Sequence, residues 1–268
     1  MKFNPGLDVR VHEQPLGIEF GPKVFGSPSE YRSLDAIRQS LADPTCDGPD
    51  PVYAISMDVG KAEHREELRR RMLLFGVVTY ATGRLGKEPV RSHGHVHNIA
   101  SQSGWRPPEI YEIWAGRAVV YMQEFAADYA GRCFAVTAET GETVVVPPGW
   151  AHATLSAAPE VPLTFGALCD RESGFEYQQI RIHRGMAWYA VLNDEGQLEW
   201  YRNPTYLPTK LNLGSPRDYK ELALETGVPI YTQFENDPEA VQWVSEPARL
   251  TRVWQSFTPC LIASVLGQ

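Results

Sequence analysis

The residues best suited to chemistry in this sequence are two histidines two positions apart, His95 and His97. In an extended strand, side chains at positions i and i+2 leave the same face, so both imidazoles would project side by side. Glu109, 12 residues after His97, offers a carboxylate on a later apolar run. Imidazole and carboxylate suit Fe²⁺, Mn²⁺, Zn²⁺ or Ni²⁺, and no thiolate is positioned to join them. These residues predict a site for one divalent cation, against the plainer alternative of two surface histidines in a loop.

A second pattern ends at His152. It consists of a glycine, a proline, a glycine and a histidine separated by five, one and two residues: Gly141, Pro147, Gly149 and His152. With the histidine pair and the six residues between Glu109 and Gly116, it resembles the two motifs of the cupin superfamily, G(X)5HXH(X)3–4E(X)6G and G(X)5PXG(X)2H(X)3N. The resemblance implies a single ion bound by His95, His97, Glu109 and His152. Four such ligands leave coordination positions free for substrate or water, which is typical of a catalytic metal site.

The sequence departs from the cupin motifs in two places. The interval from His97 to Glu109 is several residues longer than the motif allows, as if 101–108 were an inserted loop. The longer interval leaves Glu112 as an alternative ligand, although only Glu109 keeps the six-residue distance to the motif's glycine. Ser156 stands where the second motif has asparagine.

Several short segments resemble one group of cupins, the cupin-type glucose-6-phosphate isomerases. That family carries T-x-G-H-x-H, E-x-Y, P-P-x-W-A-H and G-x-x-Y in this order, and the corresponding segments here are 92–97, 109–111, 147–152 and 174–177. Segments before the histidines are also similar, at 20–23, 51–53 and 82–88. The resemblance covers about 18–206 and does not extend to the residues after about 210.

The resemblance implies an intramolecular oxidoreductase, a metal-dependent isomerase that interconverts glucose 6-phosphate and fructose 6-phosphate in glycolysis and gluconeogenesis. Fe²⁺ is the expected ion, with Mn²⁺, Zn²⁺ or Ni²⁺ as alternatives. Moving a carbonyl between C1 and C2 builds negative charge in an enediolate, which a cation near O1 and O2 would stabilise. Glu109 would be both ligand and base, moving a proton between the two carbons. Because a ligated carboxylate is a weaker base, a metal-assisted hydride shift stays an alternative.

Groups that contact the substrate are expected beside the metal. By resemblance, the phosphate would meet Ser92, the backbone N–H of Gly94 and the phenol of Tyr177. Tyr111 shares a strand face with Glu109 and would line the pocket.

Nearby basic residues have two interpretations. Arg84, Lys87 and Arg91 would either attract an anionic sugar or belong to a solvated hairpin. His93 would sit at the pocket mouth, contact the sugar or be exposed.

Other functions compete with this one. Mannose 6-phosphate, which differs only at C2, or another phosphosugar is a close alternative substrate. A cupin iron dioxygenase would use the same four ligands on a small organic substrate. A sugar-sensing or storage cupin is the non-enzymatic alternative, but a pure binding module has no need for four convergent ligands.

Short apolar or alternating runs predict the strands that position these residues. The runs lie at 109–115, 117–123, 132–137, 143–147, 161–169, 177–183, 187–192 and 197–202. Turn residues separate most of them, and short strands at such spacing favour a sandwich or barrel. The predicted fold is all-β, a single cupin (jelly-roll) barrel.

The sequence before and after this barrel predicts helices. Before it, capping residues and spaced apolar positions predict a helix at about 28–42, and the charged segment 61–71 predicts a short helix or a hairpin loop. After it, helix-start signals predict a mostly helical tail, with one helix from Ser215-Pro216 to Gly227 and another from Asp237. We therefore expect a barrel with its lead-in at 1–209 and a helical C-terminal extension at 210–268.

Composition limits the partners. The 268 residues are 43% hydrophobic, enough for one substantial core, and the net charge of −8 makes a nucleic-acid partner unexpected. No apolar run approaches the roughly 20 residues that cross a membrane, and no secretory signal is visible. Four cysteines without a CxxC pair fit reduced thiols, so the expected location is cytoplasmic. Cupins often pair through strands of the N-terminal segment, so the resemblance also implies a homodimer.

Overall fold

Strands dominate the computed structural model, which describes residues 3–267. In chain order they are β1 Val9–Glu13, β2 Leu16–Phe20, β3 Val24–Phe25, β4 Glu30–Arg32, β5 Tyr53–Met57, β6 Gly60–Lys61, β7 Leu73–Tyr80, β8 Arg84–Leu85, β9 Glu88–Pro89, β10 Val96–His97, β11 Glu109–Ala115, β12 Arg117–Gln123, β13 Cys133–Glu139, β14 Thr143–Val146, β15 Ala151–Ser156, β16 Thr164–Asp170, β17 Phe175–Glu176, β18 Trp188–Leu192, β19 Leu198–Arg202, β20 Leu211–Ser215 and β21 Leu261–Leu266. The predicted strands at 109–115 and 117–123 are confirmed residue for residue as β11 and β12.

The helices are short. The α-helices are α1 Leu34–Ile37, α2 Arg65–Arg70, α3 Gln178–Ile182, α4 Ile230–Asn236 and α5 Thr251–Trp254. Turns of 3-10 helix lie at Arg38–Ser40, Ala62–His64, Lys220–Leu222, Gln242–Val244 and Pro247–Leu250. Within residues 3–267, none of these helices is long and apolar enough to cross a membrane.

Two sheets face each other to form the barrel. One has the strand order β14-β11-β16-β7-β5-β4, and the other has the order β15-β12-β13-β20-β21. Side chains from the inner faces of both sheets share one core, with Val78, Tyr111 and Phe165 from the first sheet and Val120 and Phe134 from the second. Burial of such side chains contributes roughly 1.5–3 kcal/mol each. The fold is therefore the all-β jelly-roll barrel that the sequence predicted.

The C-terminal extension covers the outer face of the first sheet. Ile110 and Leu168 on that face share a second core with Tyr231 and Phe234 of α4. The extension also adds strands, because β20 pairs parallel to β13 and β21 pairs antiparallel to β20. The helical portion of the extension is confirmed, but the two strands were not expected. The division at residue 209 stays a prediction.

Several predicted helices and strands were wrong in detail. The helix expected at 28–42 is reduced to α1 and the 3-10 turn after it, since residues 30–32 pair with β5 and Ser33 caps α1 instead. The segment 177–183 forms the helix α3 and not a strand. Of the two alternatives for 61–71, the structure has the short helix.

The predicted helices of the extension are also displaced. Only the 3-10 turn at Lys220–Leu222 lies between 215 and 227, and Asp237 ends α4 where a helix was expected to begin. Pro229 precedes the first residue of α4, and its fixed φ suits a helix start. The signal that begins α4 is therefore Pro229, and not Pro216 or Asp237, where the sequence predicted helices to begin.

Candidate metal centre

Strand pairing brings the histidines together. His97 lies on β10, and His95 forms an isolated bridge to His152 of β15. Their backbones exchange two hydrogen bonds, His95 N to His152 O at 3.0 Å and His152 N to His95 O at 2.9 Å. Gly94 precedes them with a φ of +85°, a conformation that glycine adopts without strain. The backbone at this point thus aligns both halves of the predicted motif.

The predicted ligand cluster assembles in the barrel interior. One ligating atom from each of four residues lies within 4.8 Å of all the others: His95, His97, Glu109 and His152. Oε2 of Glu109 is 3.0 Å from Nε2 of His152 and 3.2 Å from Nε2 of His97. Glu112, the alternative ligand, points to the opposite face of β11, where it accepts hydrogen bonds from Trp114 and from Ile230. The structure thus brings Glu109 into the cluster and excludes Glu112.

Backbone carbonyls orient two of the imidazoles. Nδ1 of His97 lies 2.9 Å from the carbonyl of Pro107, and Nδ1 of His152 lies 3.1 Å from the carbonyl of Trp150. Because a carbonyl only accepts, each Nδ1 carries the proton and donates it. The Nε2 atoms then direct their lone pairs at the centre of the cluster, which is the usual state of a metal-binding histidine.

Electrostatics give the same indication. Burial alone would raise the pKa of Glu109, but the contacts with His152 and His97 outweigh burial and lower it. Burial, together with the two neighbouring imidazoles, places the pKa of His95 well below its usual value. The buried Nε2 atoms of His95 and His97 have no hydrogen-bond partner among the described residues. Lone pairs facing an ionised carboxylate repel it unless a cation lies between them, so these residues fit a divalent metal ion.

The cluster opens into a cavity between the two sheets. The cavity encloses about 620 Å³ of space free of protein atoms, part of it open to solvent, and His95 and Glu109 line it. Tyr111 also lines it, and its hydroxyl donates to Oε2 of Glu109 at 2.8 Å. The ring of Phe175 packs edge-on against His95 at 4.4 Å between centroids.

The predicted substrate contacts are only partly assembled. Ser92 and Tyr177 line the cavity, whereas Gly94 is not among the lining residues. His93 also lines the cavity and is 3% exposed, so the expectation of an exposed side chain was wrong. Its Nδ1 donates to the carbonyl of Gly94, and its Nε2 accepts from Arg181.

The positive charge in the cavity wall comes from an unexpected residue. None of Arg84, Lys87 and Arg91 lines the cavity; Arg91 is buried and forms an ion pair with Glu88 at 2.9 Å. The cavity is lined instead by Arg32 of β4, next to Tyr53 of β5. Sequence reasoning missed both residues as site candidates, because only the pairing of β4 with β5 brings them to the cavity.

Comparison with known proteins points to one family. The family model described as "Glucose-6-phosphate isomerase (GPI)" matches residues 33–209. The glucose-6-phosphate isomerase of Thermococcus gammatolerans is 29% identical over 157 residues, which cover 58% of this chain and 71% of that protein. The glucose-6-phosphate isomerase of Pyrococcus abyssi is 27% identical over 208 residues, covering 73% of this chain and 99% of that protein.

Solved structures give weaker similarity. An oxalate oxidase overlaps with a TM-score of 0.35 and 14% identity, covering 47% of this chain and 55% of that chain. The Bacillus subtilis oxalate decarboxylase overlaps with a TM-score of 0.32, covering 47% of this chain and 28% of that chain.

The assignment therefore follows from the sequence match. Residues 33–209 are about two thirds of the chain and include all four members of the ligand cluster. The chain belongs to the glucose-6-phosphate isomerase family, and it is an isomerase built on the jelly-roll barrel described above.

Proposed function

We propose that this protein interconverts glucose 6-phosphate and fructose 6-phosphate at one divalent cation held by His95, His97, Glu109 and His152. One observation carries the proposal. The four ligating atoms lie within 4.8 Å of one another, and backbone carbonyls fix two of the imidazoles so that Nε2 faces the centre. When bound, the ion would stabilise negative charge on the two sugar oxygens that exchange the carbonyl. Fe²⁺ is the ion we propose, since three imidazoles and one carboxylate suit it and leave room for substrate.

Glu109 is the group that we propose moves the proton. Its lowered pKa keeps it ionised at neutral pH, so it can accept a proton from a carbon next to a carbonyl. The hydroxyl of Tyr111 and both neighbouring imidazoles contact Oε2. Oε1 accepts no hydrogen bond from the described residues, which leaves it free to exchange a proton with the substrate.

The cavity supplies the rest of the proposed substrate site. Ser92 and Tyr177 line the cavity and would contact the sugar phosphate with their hydroxyl groups. Gly94 does not line it, so the contact expected from its backbone N–H is not part of the proposed site. Ser92 Oγ also accepts from the backbone N–H of Thr154 at 3.1 Å, which fixes its position. We further propose a homodimer, to be checked by sedimentation. A cytoplasmic location is supported by four buried cysteines that are all free thiols.

Metal removal tests the proposed function. The protein is treated with a chelator and assayed for glucose 6-phosphate formation from fructose 6-phosphate through a coupled dehydrogenase, before and after addition of Fe²⁺, Mn²⁺ or Zn²⁺. We expect no activity after chelation and recovery with at least one ion, because the carbonyl shift depends on charge stabilisation by the cation. Activity that survives chelation, or no activity with any ion, would contradict the proposal.

A variant pair sharpens this test. His97→Gln should lose metal and activity together. His12→Gln, in which an exposed histidine near Glu19 is replaced, should keep both. Deuterium at C2 of the substrate then separates the two chemical routes: exchange with solvent supports proton transfer by Glu109, and full retention supports a hydride shift.

A further inference from the structure

Arg32 lies in the wall of the barrel cavity and has no assigned role. It is the last residue of β4 and pairs with Tyr53 of β5, and both side chains line the same cavity as His95 and Glu109. The match to the family model begins at residue 33, so that match does not include Arg32.

The guanidinium of Arg32 forms no ion pair among the described residues, although Glu30 acts on it electrostatically and its Cζ lies 6.0 Å from the centroid of the Tyr53 ring. Its Nε atom is buried and has no hydrogen-bond partner. Glu30, which leaves the same face of β4, is exposed and forms no ion pair with it. Two other arginines, the buried Arg91 and the half-buried Arg171, are paired: Arg91 contacts Glu88 at 2.9 Å, and Arg171 contacts Asp58 at 2.7 Å. Arg32 therefore keeps N–H donors without an acidic partner at the cavity wall, where a guanidinium can bind an anionic ligand.

The charges that line the cavity separate into two sides. Among the lining residues that the structure describes, Glu109 is the only acid, and Arg32 is the only lysine or arginine. Tyr177 is near both groups: its ring is 6.1 Å from that of His95, a member of the ligand cluster, and it interacts electrostatically with Arg32. A sugar phosphate bound with C1 and C2 near Glu109 has its phosphate at the far end of the carbon chain, on the side where the unpaired cation lies.

We propose that Arg32 binds the phosphate group of the substrate and sets the preference for phosphorylated over free sugars. The identity of the sugar rests on the proposed function. A guanidinium presents its N–H groups in a planar fork that matches two phosphate oxygens, and such charge-assisted hydrogen bonds are stronger than neutral ones. The hydroxyls of Tyr53 and Tyr177 are placed to contact the remaining phosphate oxygens.

Steady-state kinetics of Arg32→Gln test the proposal. We expect KM for fructose 6-phosphate to rise about 100-fold, because one partner of a desolvated charge pair is lost, while kcat changes less than about threefold. Arg32→Lys should give an intermediate KM, since it keeps the charge but not the fork. Any turnover of unphosphorylated fructose should be the same in wild type and variant. Arg10→Gln removes one exposed positive charge from β1 and should leave KM unchanged.

Equilibrium binding separates this proposal from the proposed function. Glucitol 6-phosphate carries the phosphate but no carbonyl, so it binds without reacting and can be titrated calorimetrically. Arg32-dependent binding by a protein with no isomerase activity would support the phosphate contact and contradict the proposed reaction. Isomerase activity with an unchanged KM in both Arg32 variants, or equal binding of glucitol 6-phosphate, would overturn the role of Arg32. If Arg32→Gln does not fold, Arg32→Lys alone decides, because an unchanged phosphate affinity with the ammonium group would exclude bidentate recognition.

Discussion

The two faces of β11 carry buried carboxylates with opposite properties. Glu109 and Glu112 are 6% and 5% exposed, so burial is the same for both. On the inner face, contacts with His97 and His152 lower the pKa of Glu109 in spite of burial. On the outer face, burial raises the pKa of Glu112 to about 7, because it outweighs the hydrogen bonds from the N–H groups of Trp114 and Ile230, which lower the pKa. The difference shows that the groups in contact with each carboxylate, and not its depth of burial, set the direction of its pKa shift.

The two faces therefore have separate tasks. The inner face presents an anion to the cavity, where a cation and a sugar can bind. The outer face uses the same type of side chain to hold α4, since Oε1 of Glu112 accepts from the backbone N–H of Ile230 at 2.7 Å. Strand alternation alone separates these tasks over three residues.

Matched amide substitutions give the largest expected contrast between the faces. Glu109→Gln should lower kcat at least about 1,000-fold, because both the base and a charged ligand are lost. Glu112→Gln should retain kcat within about threefold, since it does not touch the cavity. The coupled isomerase assay and metal content by mass spectrometry measure both effects. Equal losses in the two variants would show that the faces are not independent.

Glu112 should make the free energy of unfolding depend on pH. Its pKa is about 7 in the folded chain, against an ordinary value of 4.5. At a pH between these two values, the protein therefore takes up a proton when it folds. The stability that Glu112 contributes is thus fully present below pH 4.5 and is lost as the pH rises through about 7. Relative to wild type, Glu112→Gln should gain up to roughly 3 kcal/mol in unfolding free energy across this window. Denaturant titrations at several pH values measure it, and a constant difference between the two proteins would refute it.

The smallest contrast involves the aromatic donors beside each carboxylate. Tyr111→Phe removes the 2.8 Å hydrogen bond to Glu109 and should lower kcat about tenfold. Trp114→Phe removes the equivalent bond to Glu112 and should leave kcat unchanged, while lowering the unfolding free energy by roughly 1–3 kcal/mol. Kinetics and thermal unfolding of the pair check this. A loss of kcat in Trp114→Phe would mean that the outer face affects catalysis.

The sequence predicted the ligand cluster because its spacing obeys local rules. Strand alternation alone placed His95 and His97 side by side, whereas the choice of Glu109 over Glu112 followed from the resemblance, because only Glu109 keeps the motif's six-residue distance to Gly116. The structure shows why that glycine is required: its φ is +78°, and a Cβ there would lie 2.8 Å from the carbonyl of Pro162. Turn geometry of this kind is determined by residues that are neighbours in the sequence, so it can be predicted from them.

Features that depend on distant pairing could not be predicted in the same way. The capping signals at 27–30 were genuine helix signals, but pairing of residues 30–32 with β5 outweighed them. The same pairing brings Arg32 to the cavity, which no local pattern indicates. The strand β20 is similar, since it forms by pairing with β13, whose residues lie 78 positions earlier in the chain.

The C-terminal extension, which covers the outer face of the barrel, is synthesised after the strands that it covers. Ile110 and Leu168 are apolar and belong to strands made early, whereas Tyr231 and Phe234, which shield them, follow much later in translation. When the barrel strands of a nascent chain have left the ribosome, the apolar outer face of the first sheet is still exposed to solvent. Exposed apolar surfaces of this kind favour aggregation. The first sheet therefore lacks its apolar cover until α4 has been synthesised, although α4 contributes no residue to the ligand cluster.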